Sequence, residues 1–481
     1  MPELSRQRRL LILAICCLSL FMVGVDNTIV NVALPSIQRS LHAPVSGLQW
    51  TVDTYTVVMA SFLILAGSTA DRLGRRRIFQ VGLASFTVAS LLCSVAPSLG
   101  WLVAFRMLQA IGGSMMNPVA VSIIANTFTD PRERARAIGV WGGVFGLSIA
   151  LGPVLGGVLT DSVGWRGIFW VNIPVGVAGI VLTALFVPES RAARARRVDP
   201  VGQVLVIVAL ASLTYAIIEG PSTGWTSPLI LGLFAVAAAA VAGLIFYEPR
   251  RGEPLLDLRF FRSAPFSGAT LIAVSAFAAT GGFLFLNTLY LQDVRGLSAL
   301  HAGLYTLPLA VMTLLLAPLS GWITGRRGPR LPLLAAGVAM TAGGLLLTGL
   351  TPATPVGWLV IAYLTFGIGS GLVNPPITNT AVSGMPRAQA GVAAAVASTS
   401  RQVGQSLGVA VVGAAVTSAL HGPLRAGFTE ASHVGWWIIA GFGGAVLLVG
   451  VITSGRWAQA TAARTAERIT AEEARIPVGA P

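Results

Sequence analysis

Asp26, Asp53 and Arg106 are ionisable residues set inside long apolar stretches, where a charge is costly and its presence needs a reason. Asp26 stands among Val, Gly and Ile. Taking up a proton relieves a carboxylate in such surroundings, so Asp26 reads as a proton or cation site. The competing reading is a structural carboxylate hydrogen-bonded to Asn or Thr neighbours. Asp53 lies in Trp50-Thr-Val-Asp53-Thr-Tyr55. A carboxylate beside two aromatic rings suits a lipophilic cation, held by charge and ring face together. The alternative is an interfacial residue within reach of water and an aromatic belt. Arg106 requires a carboxylate or backbone oxygen as partner, and the role of such a pair is either proton coupling or structure alone. Arg401, in Thr399-Ser-Arg401-Gln402, would gate or line a cavity, but the sequence names no partner for it. Glu219, in Ile217-Ile-Glu219-Gly-Pro221, ends an apolar segment and reads more readily as peripheral than as part of a coupling site. Asp293 and Arg295 are expected to form an interfacial pair. His42, His301, His421 and His433 fall in outward loops, which makes proton transfer by a buried His unexpected. No metal-ligand or nucleophile constellation is visible, so neither an enzyme nor a cofactor is expected.

The elements that must position these groups are helices in a bilayer. Hydrophobic residues make up 54% of the chain and charged residues 10%, which excludes a soluble globular protein. Windows of roughly 20 apolar residues give fourteen candidate spans. They place Asp26 in span 1 (10–34), Asp53 in span 2 (48–68), Arg106 in span 4 (100–126), Glu219 at the end of span 7 (201–219) and Arg401 in span 13 (392–420). The first apolar segment is too long for a removable signal peptide and lacks a small-residue cleavage site. Cys16, Cys17 and Cys93 sit in apolar segments and read as small packing residues.

A net charge of +14 invites a nucleic-acid reading, but the placement of the charge argues against one. Every basic residue is Arg, and the Arg residues gather in the N-terminal tail, alternate loops and the C-terminal tail. Only Arg39, Arg166, Arg295 and Arg425 fall in loops on the opposite side. That asymmetry is the positive-inside pattern and places both termini in the cytoplasm. The absence of Lys also excludes a Walker-type phosphate loop, so an ATP-driven pump is not expected. Transport would draw on an ion gradient or on the substrate's own.

The chain also repeats itself. Gly67-Ser-Thr-Ala-Asp71-Arg72-Leu-Gly74-Arg75-Arg76-Arg77 returns 254 residues later as Gly321-Trp-Ile-Thr-Gly325-Arg326-Arg327-Gly328-Pro-Arg330. Gly112-Gly-Ser-Met-Met-Asn117-Pro118 likewise resembles Gly369-Ser-Gly-Leu-Val-Asn374-Pro375. Internal duplication in a hydrophobic chain points to a secondary transporter. The reading is an all-α polytopic membrane protein with a six-span half over 1–187, a linker and inserted span pair over 188–264, a second six-span half over 265–454 and a cytoplasmic tail over 455–481. The linker carries Arg191, Arg194, Arg196 and Arg197, and the tail reads as a solvated helix.

At these motifs the sequence resembles the major facilitator superfamily, and more closely its fourteen-span drug:proton antiporters. The loop from Gly67 to Arg77 matches the family signature between spans 2 and 3. Span 1 holds the family pattern Asp26-Asn-Thr28-Ile-Val-Asn31-Val-Ala33-Leu-Pro35. Span 4 holds Arg106-x-x-Gln109-Ala110-x-Gly112, with Ala110 where Gly is usual. Span 5 holds the exporter pattern Gly139-x8-Ser148-x3-Gly152-Pro153-x2-Gly156-Gly157, with Ser148 in place of a usual Gly.

The resemblance implies a major facilitator fold in the cell membrane. It implies exchange of protons for amphiphilic, cationic drugs by a monomer, with no nucleic acid, metal or cofactor involved. The candidates for proton or substrate coupling are Asp26, Asp53, Arg106, Glu219 and Arg401, and the resemblance itself implies the part of Arg106. A conformational latch falls to Gly67, Asp71, Arg72, Gly74, Arg75 and Arg76, with Asp71 expected near a helix N-terminus, where the dipole favours a carboxylate. Helix packing falls to Gly139, Gly152, Pro153, Gly156 and Gly157. A dedicated exporter of one antibiotic or metabolite, a proton-coupled nutrient importer and a non-transporting receptor are the competing functions.

Overall fold

The computed structural model describes residues 5–191, 199–252, 254–255, 257–382, 390–420 and 424–475. These are helical throughout. The first group is α1 (Arg6–Leu41), α2 (Val45–Leu73), α3 (Arg75–Ser94), α4 (Leu99–Thr127), α5 (Pro131–Val163), α6 (Gly167–Trp170) and α7 (Asn172–Phe186). Then come α8 (Pro200–Thr223) and α9 (Pro228–Tyr247). The last group is α10 (Ala264–Leu289), α11 (Ala299–Tyr305), α12 (Leu307–Arg327), α13 (Arg330–Leu345), α14 (Val356–Val382), α15 (Ala390–Ala419), α16 (Leu424–Thr453) and α17 (Arg456–Arg475).

Local chemistry starts and stops these helices. The side chains of Ser5, Asp199 and Ser227 accept the N–H of Arg8, Gly202 and Ile230 at the N-termini of α1, α8 and α9. Pro200 and Pro228 take the first helical positions, where a missing N–H costs nothing. Gly74 ends α2 at φ 117° and Gly328 ends α12 at φ 84°, backbone conformations that glycine adopts most easily. The two positions are related by the 254-residue offset, so the sequence repeat is also a repeat of backbone shape.

Among the described residues, twelve helical segments are long and apolar enough to cross a membrane. The sequence reading counts fourteen. Its two additional spans coincide with α13, which is 16 residues long, and with α15, which is long but carries Arg401, Gln402 and Gln405. Two expected spans are each built from two helices: α6 with α7, and α11 with α12. Large apolar side chains such as Leu185, Phe246 and Leu448 are exposed on the outer surface. That surface suits lipid, because in water apolar patches of this kind drive association.

The packing repeats as the sequence does. α1 packs on α5 as α10 packs on α15, α2 on α4 as α12 on α14, and α3 on α4 as α13 on α14. Between the groups, α2 packs against α15, α5 against α11 and α12, and α1 against α10. α8 rests on both α2 and α15, with α9 behind it. Cys16, Cys17 and Cys93 are buried and free, as small packing residues are expected to be.

Three expectations need correction or limits. The tail helix α17 is not wholly solvated. It packs on α10 and on the turn at 258–262, burying Ala458, Ala462 and Thr465, and Thr461 Oγ1 accepts the Ala264 N–H at 2.9 Å. His433 is not in a loop but within α16, its Nε2 2.8 Å from the Leu350 carbonyl. His421, Arg194, Arg196 and Arg197 lie outside the described residues.

Candidate functional site: a buried ion pair, a second buried carboxylate and a hinge

α1 and α4 cross where Asp26 meets Arg106. Asp26 Oδ2 accepts from Arg106 NH1 at 2.5 Å, and both side chains are almost completely buried. Asp26 Oδ1 accepts from Gln109 Nε2 at 2.8 Å and from Asn172 Nδ2 at 2.9 Å. Gln109 lies three residues after Arg106, on the same face of α4, and its Oε1 accepts from Arg106 NH1 at 2.6 Å. Ser90 Oγ of α3 accepts from Gln109 and Asn172. The guanidinium lies 4.1 Å from the centre of the Tyr55 ring and donates from Nε to the Thr51 carbonyl at 3.4 Å. Five helices thus contribute to one network, in which α4 and α7 reach the Asp26 carboxylate directly. A buried ion pair is tolerable when its remaining hydrogen-bonding capacity is filled in this way.

Asp53 is the opposite case. It is fully buried, with 0% exposure, and neither carboxylate oxygen has a hydrogen-bond partner. It lies on α2 at the contact with α15, from which Ser406 faces it without a bond of ordinary hydrogen-bond geometry. An interfacial position in contact with water is therefore not where the structure puts it. The flanking rings point elsewhere: Tyr55 stacks on Arg106, and Trp50 packs on Tyr215 of α8 at 5.4 Å.

Glu219 is tied to that second aromatic pair. Its Oε1 accepts from Trp50 Nε1 at 2.7 Å and its Oε2 from Ser222 Oγ at 2.9 Å. It fastens α8 to α2 and does not reach Asp26, Asp53 or Arg106. Arg401 donates to Ser398 Oγ at 2.7 Å and to Asn374 Oδ1 and Thr378 Oγ1 at 3.2 Å. Arg295 donates to the Thr354 carbonyl at 2.6 Å.

The loop signature forms a hinge at Gly74. Asp71 sits in the last turn of α2, not at a helix N-terminus, and its Oδ1 accepts from Arg75 at 2.8 and 2.9 Å. The acid at the start of α3 is Glu189, which sequence reasoning missed. Its Oε1 accepts the Arg76 N–H at 3.1 Å, a placement the helix dipole favours. Arg76 also donates to the Ala184 carbonyl at 2.8 Å, and the Arg75 N–H to the Ser190 carbonyl at 2.9 Å. A Cβ on Gly74 would stand 2.7 Å from the Glu189 carboxylate. Arg72 is exposed, and Gly67 faces Pro118 at van der Waals distance.

The glycines of span 5 permit close approach at two places. A Cβ on Gly152 or Gly156 would strike Thr28 or Ile29 of α1. One on Gly157 would lie 2.5 Å from Leu300 Cα of α11, across the contact between the two groups. Gly303 returns the approach, since a Cβ on it would stand 2.3 Å from the Pro153 carbonyl oxygen. Gly139 has open space around it. Asp161, near the end of α5, reinforces this contact by accepting the N–H of Ala299 and Leu300 at 3.2 and 2.9 Å. Gly157→Ala is therefore expected to pry α5 from α11, at a cost of about 1–3 kcal/mol. A cysteine placed at Ala299 should then react several-fold faster with an impermeant maleimide; an unchanged rate would mean that α5 and α11 do not separate.

Further contacts between the groups were not legible in the sequence. The amides of Asn27 and Gln405 pair reciprocally at 3.2 and 3.3 Å. Gln49 Nε2 donates to the Val409 and Ala410 carbonyls at 3.3 and 3.1 Å, and Gln292 Nε2 to the Val32 carbonyl at 2.7 Å. The available signal was a polar amide inside an apolar helix, but nothing in the sequence says what it meets.

A repeated bundle of apolar helices with ionisable groups inside is that of a multi-pass membrane protein, and its family makes it a transporter. The chain belongs to the Major Facilitator Superfamily, whose model matches residues 16–409. Among its relatives, the multidrug resistance protein Stp of Mycobacterium tuberculosis is 38% identical over 417 residues, covering 87% of this chain and 78% of Stp. The tetracenomycin C resistance and export protein of Streptomyces glaucescens is 39% identical over 400 residues, covering 82% and 74%. The solved peptide transporter POT in complex with sulfate superposes with a TM-score of 0.65 at 16% identity over 95% of each chain. That similarity concerns the fold alone.

Proposed function

We propose that this transporter is a proton-coupled efflux antiporter for amphiphilic, cationic drugs, acting as a monomer in the cell membrane with both termini in the cytoplasm. In this reading α13 and α15 complete fourteen spans. The halves α1–α7 and α10–α16 rock about a central path, and α8 and α9 stand beside it. The observation that carries the reading is Asp53. A buried carboxylate with no ion-pair partner among the described residues, faced only by the Ser406 hydroxyl, is tolerated as the neutral acid or beside a cation, and poorly otherwise. It lies where α2 of one half meets α15 of the other, so a rocking motion changes its surroundings.

The cycle exchanges a proton for a cation at that carboxylate. Opened outward, Asp53 takes a proton. Opened inward, it releases the proton and receives the substrate's positive charge. Substrate must bind the deprotonated form better, because a ligand moves an equilibrium only through differential affinity. Asp26 and Arg106 form the second ionisable element, joining α1 to α4 inside the first half and coupling its protonation to packing. The Asp71–Arg75 and Arg76–Glu189 contacts hold α2, α3 and the end of α7 together, and Asn27–Gln405, Gln49 and Gly157–Leu300 hold the two halves. These two sets act as latches that open in alternate states.

A dedicated exporter of one antibiotic is the second reading. The chain's similarity to the tetracenomycin C resistance and export protein favours it. Ethidium efflux from cells expressing the protein, with and without a protonophore, tests both. Export that stops when the gradient collapses is the expected result. Absence of ethidium export, with the protein present in the membrane, would favour the dedicated exporter. Export that survives the protonophore would exclude proton coupling.

A further inference from the structure

α15 carries a polar run through the bilayer region, Ser398-Thr-Ser-Arg401-Gln402-Val-Gly-Gln405-Ser406. Arg401 is its centre. Its three hydrogen-bond acceptors, on Ser398, Asn374 and Thr378, are neutral oxygens. Among the described residues no carboxylate lies within ion-pair distance of it. Arg106 makes the contrast, since it is sealed and paired with Asp26. A guanidinium at this depth without a counter-charge is expensive, and such residues mark substrate paths.

Two further observations turn that cost into a site. Gln405 is four residues after Arg401, on the same face of α15, and it pairs with Asn27 of the first half. The Arg401 face is therefore turned toward the junction of the halves, and Arg401 itself remains partly exposed. Next to it in sequence, Thr399 Oγ1 and Gln402 Oε1 are buried without partners. The Ser398 and Thr378 hydroxyls that accept from the guanidinium each carry a proton of their own, so the cluster sets hydroxyl donors beside a planar guanidinium fork, matched to a carboxylate or another oxyanion.

We infer that Arg401 is a substrate-binding residue that recognises an oxyanionic group, so that the preferred cargo carries an anionic oxygen group together with its cationic, apolar body. This rests on the export reading above and adds to it a second recognition point, in the other half from Asp26 and Arg106. Asp53 and Arg401 would then hold opposite charges of one amphiphile.

A matched pair of dyes tests it: rhodamine 110, with a free carboxyl group, and rhodamine 123, its methyl ester. Fluorescence anisotropy of the purified protein reads the affinity for each. Wild type should bind the acid about tenfold or more tightly than the ester, the range of a charge-assisted hydrogen bond. Arg401→Gln should lose that preference while still binding the ester, and Arg401→Lys should keep part of it. A merely structural Arg401 would weaken both dyes alike. Equal binding of the two by wild type, binding of neither, or a preference that survives in Arg401→Gln would overturn the proposal. Ethidium efflux by Arg401→Gln cells separates the two readings, since protonophore-sensitive export can persist while the acid preference is absent.

Discussion

Asp26→Asn should abolish gradient-driven export and also lower the protein's thermal stability. The carboxylate is the ionic partner of a fully buried Arg106 and receives two further amide bonds. Removing one member of such a pair leaves a charge buried alone, which costs about 3–5 kcal/mol. Asn retains an oxygen for Gln109 and Asn172, so the loss should fall at the lower end of that range. Export into vesicles with an imposed pH gradient should fall more than tenfold. The double variant Asp26→Asn, Arg106→Gln separates coupling from architecture, because it removes both charges together. It should recover stability in detergent without recovering transport. Recovery of both would make the pair purely structural, and normal pumping by Asp26→Asn would remove it from coupling altogether.

Asp53→Asn should give a different signature. No bond of ordinary hydrogen-bond geometry is lost, since only the Ser406 hydroxyl faces the carboxylate. An amide of the same shape replaces the carboxyl group, and the thermal midpoint should move by the equivalent of about 1 kcal/mol or less. Transport should nevertheless fail, with proton-driven export reduced at least tenfold and the remainder insensitive to the gradient. Measuring stability and export on the same two preparations therefore distinguishes the carboxylates: Asp26→Asn loses both properties, Asp53→Asn one. Full gradient-driven export by Asp53→Asn would return the coupling role to Asp26.

The sequence discloses helices, repeat and motifs because each leaves a local mark. Apolar runs mark the helices, and the 254-residue offset sets Gly328 opposite Gly74, two glycines that the structure shows ending helices with positive φ. It could not pair Asp26 with Arg106, since 80 residues and two helix rotations separate them. Gln109, three residues after Arg106, was the one local sign of a polar face. Ser90 and Asn172 are isolated polar residues in apolar helices and become meaningful only once α3 and α7 are packed. The complete burial of Asp53 was not legible, because it depends on how α2 packs against α15. Glu189 follows the last turn of α7, where sequence alone shows a surface acid and not the partner of the α3 N-terminus. Glu219 was legible as peripheral, but its bond to Trp50 depends on where α8 rests.

Exchange of a proton for a drug makes one demand of the purified protein: substrate binding must displace protons. The most direct measurement is the pH of a weakly buffered detergent solution of the protein as ethidium is added, with Asp53→Asn in parallel. Proton-coupled exchange predicts acidification by wild type that saturates with the binding curve and is lost or reduced in Asp53→Asn. Saturable ethidium binding by wild type with no proton release would contradict it.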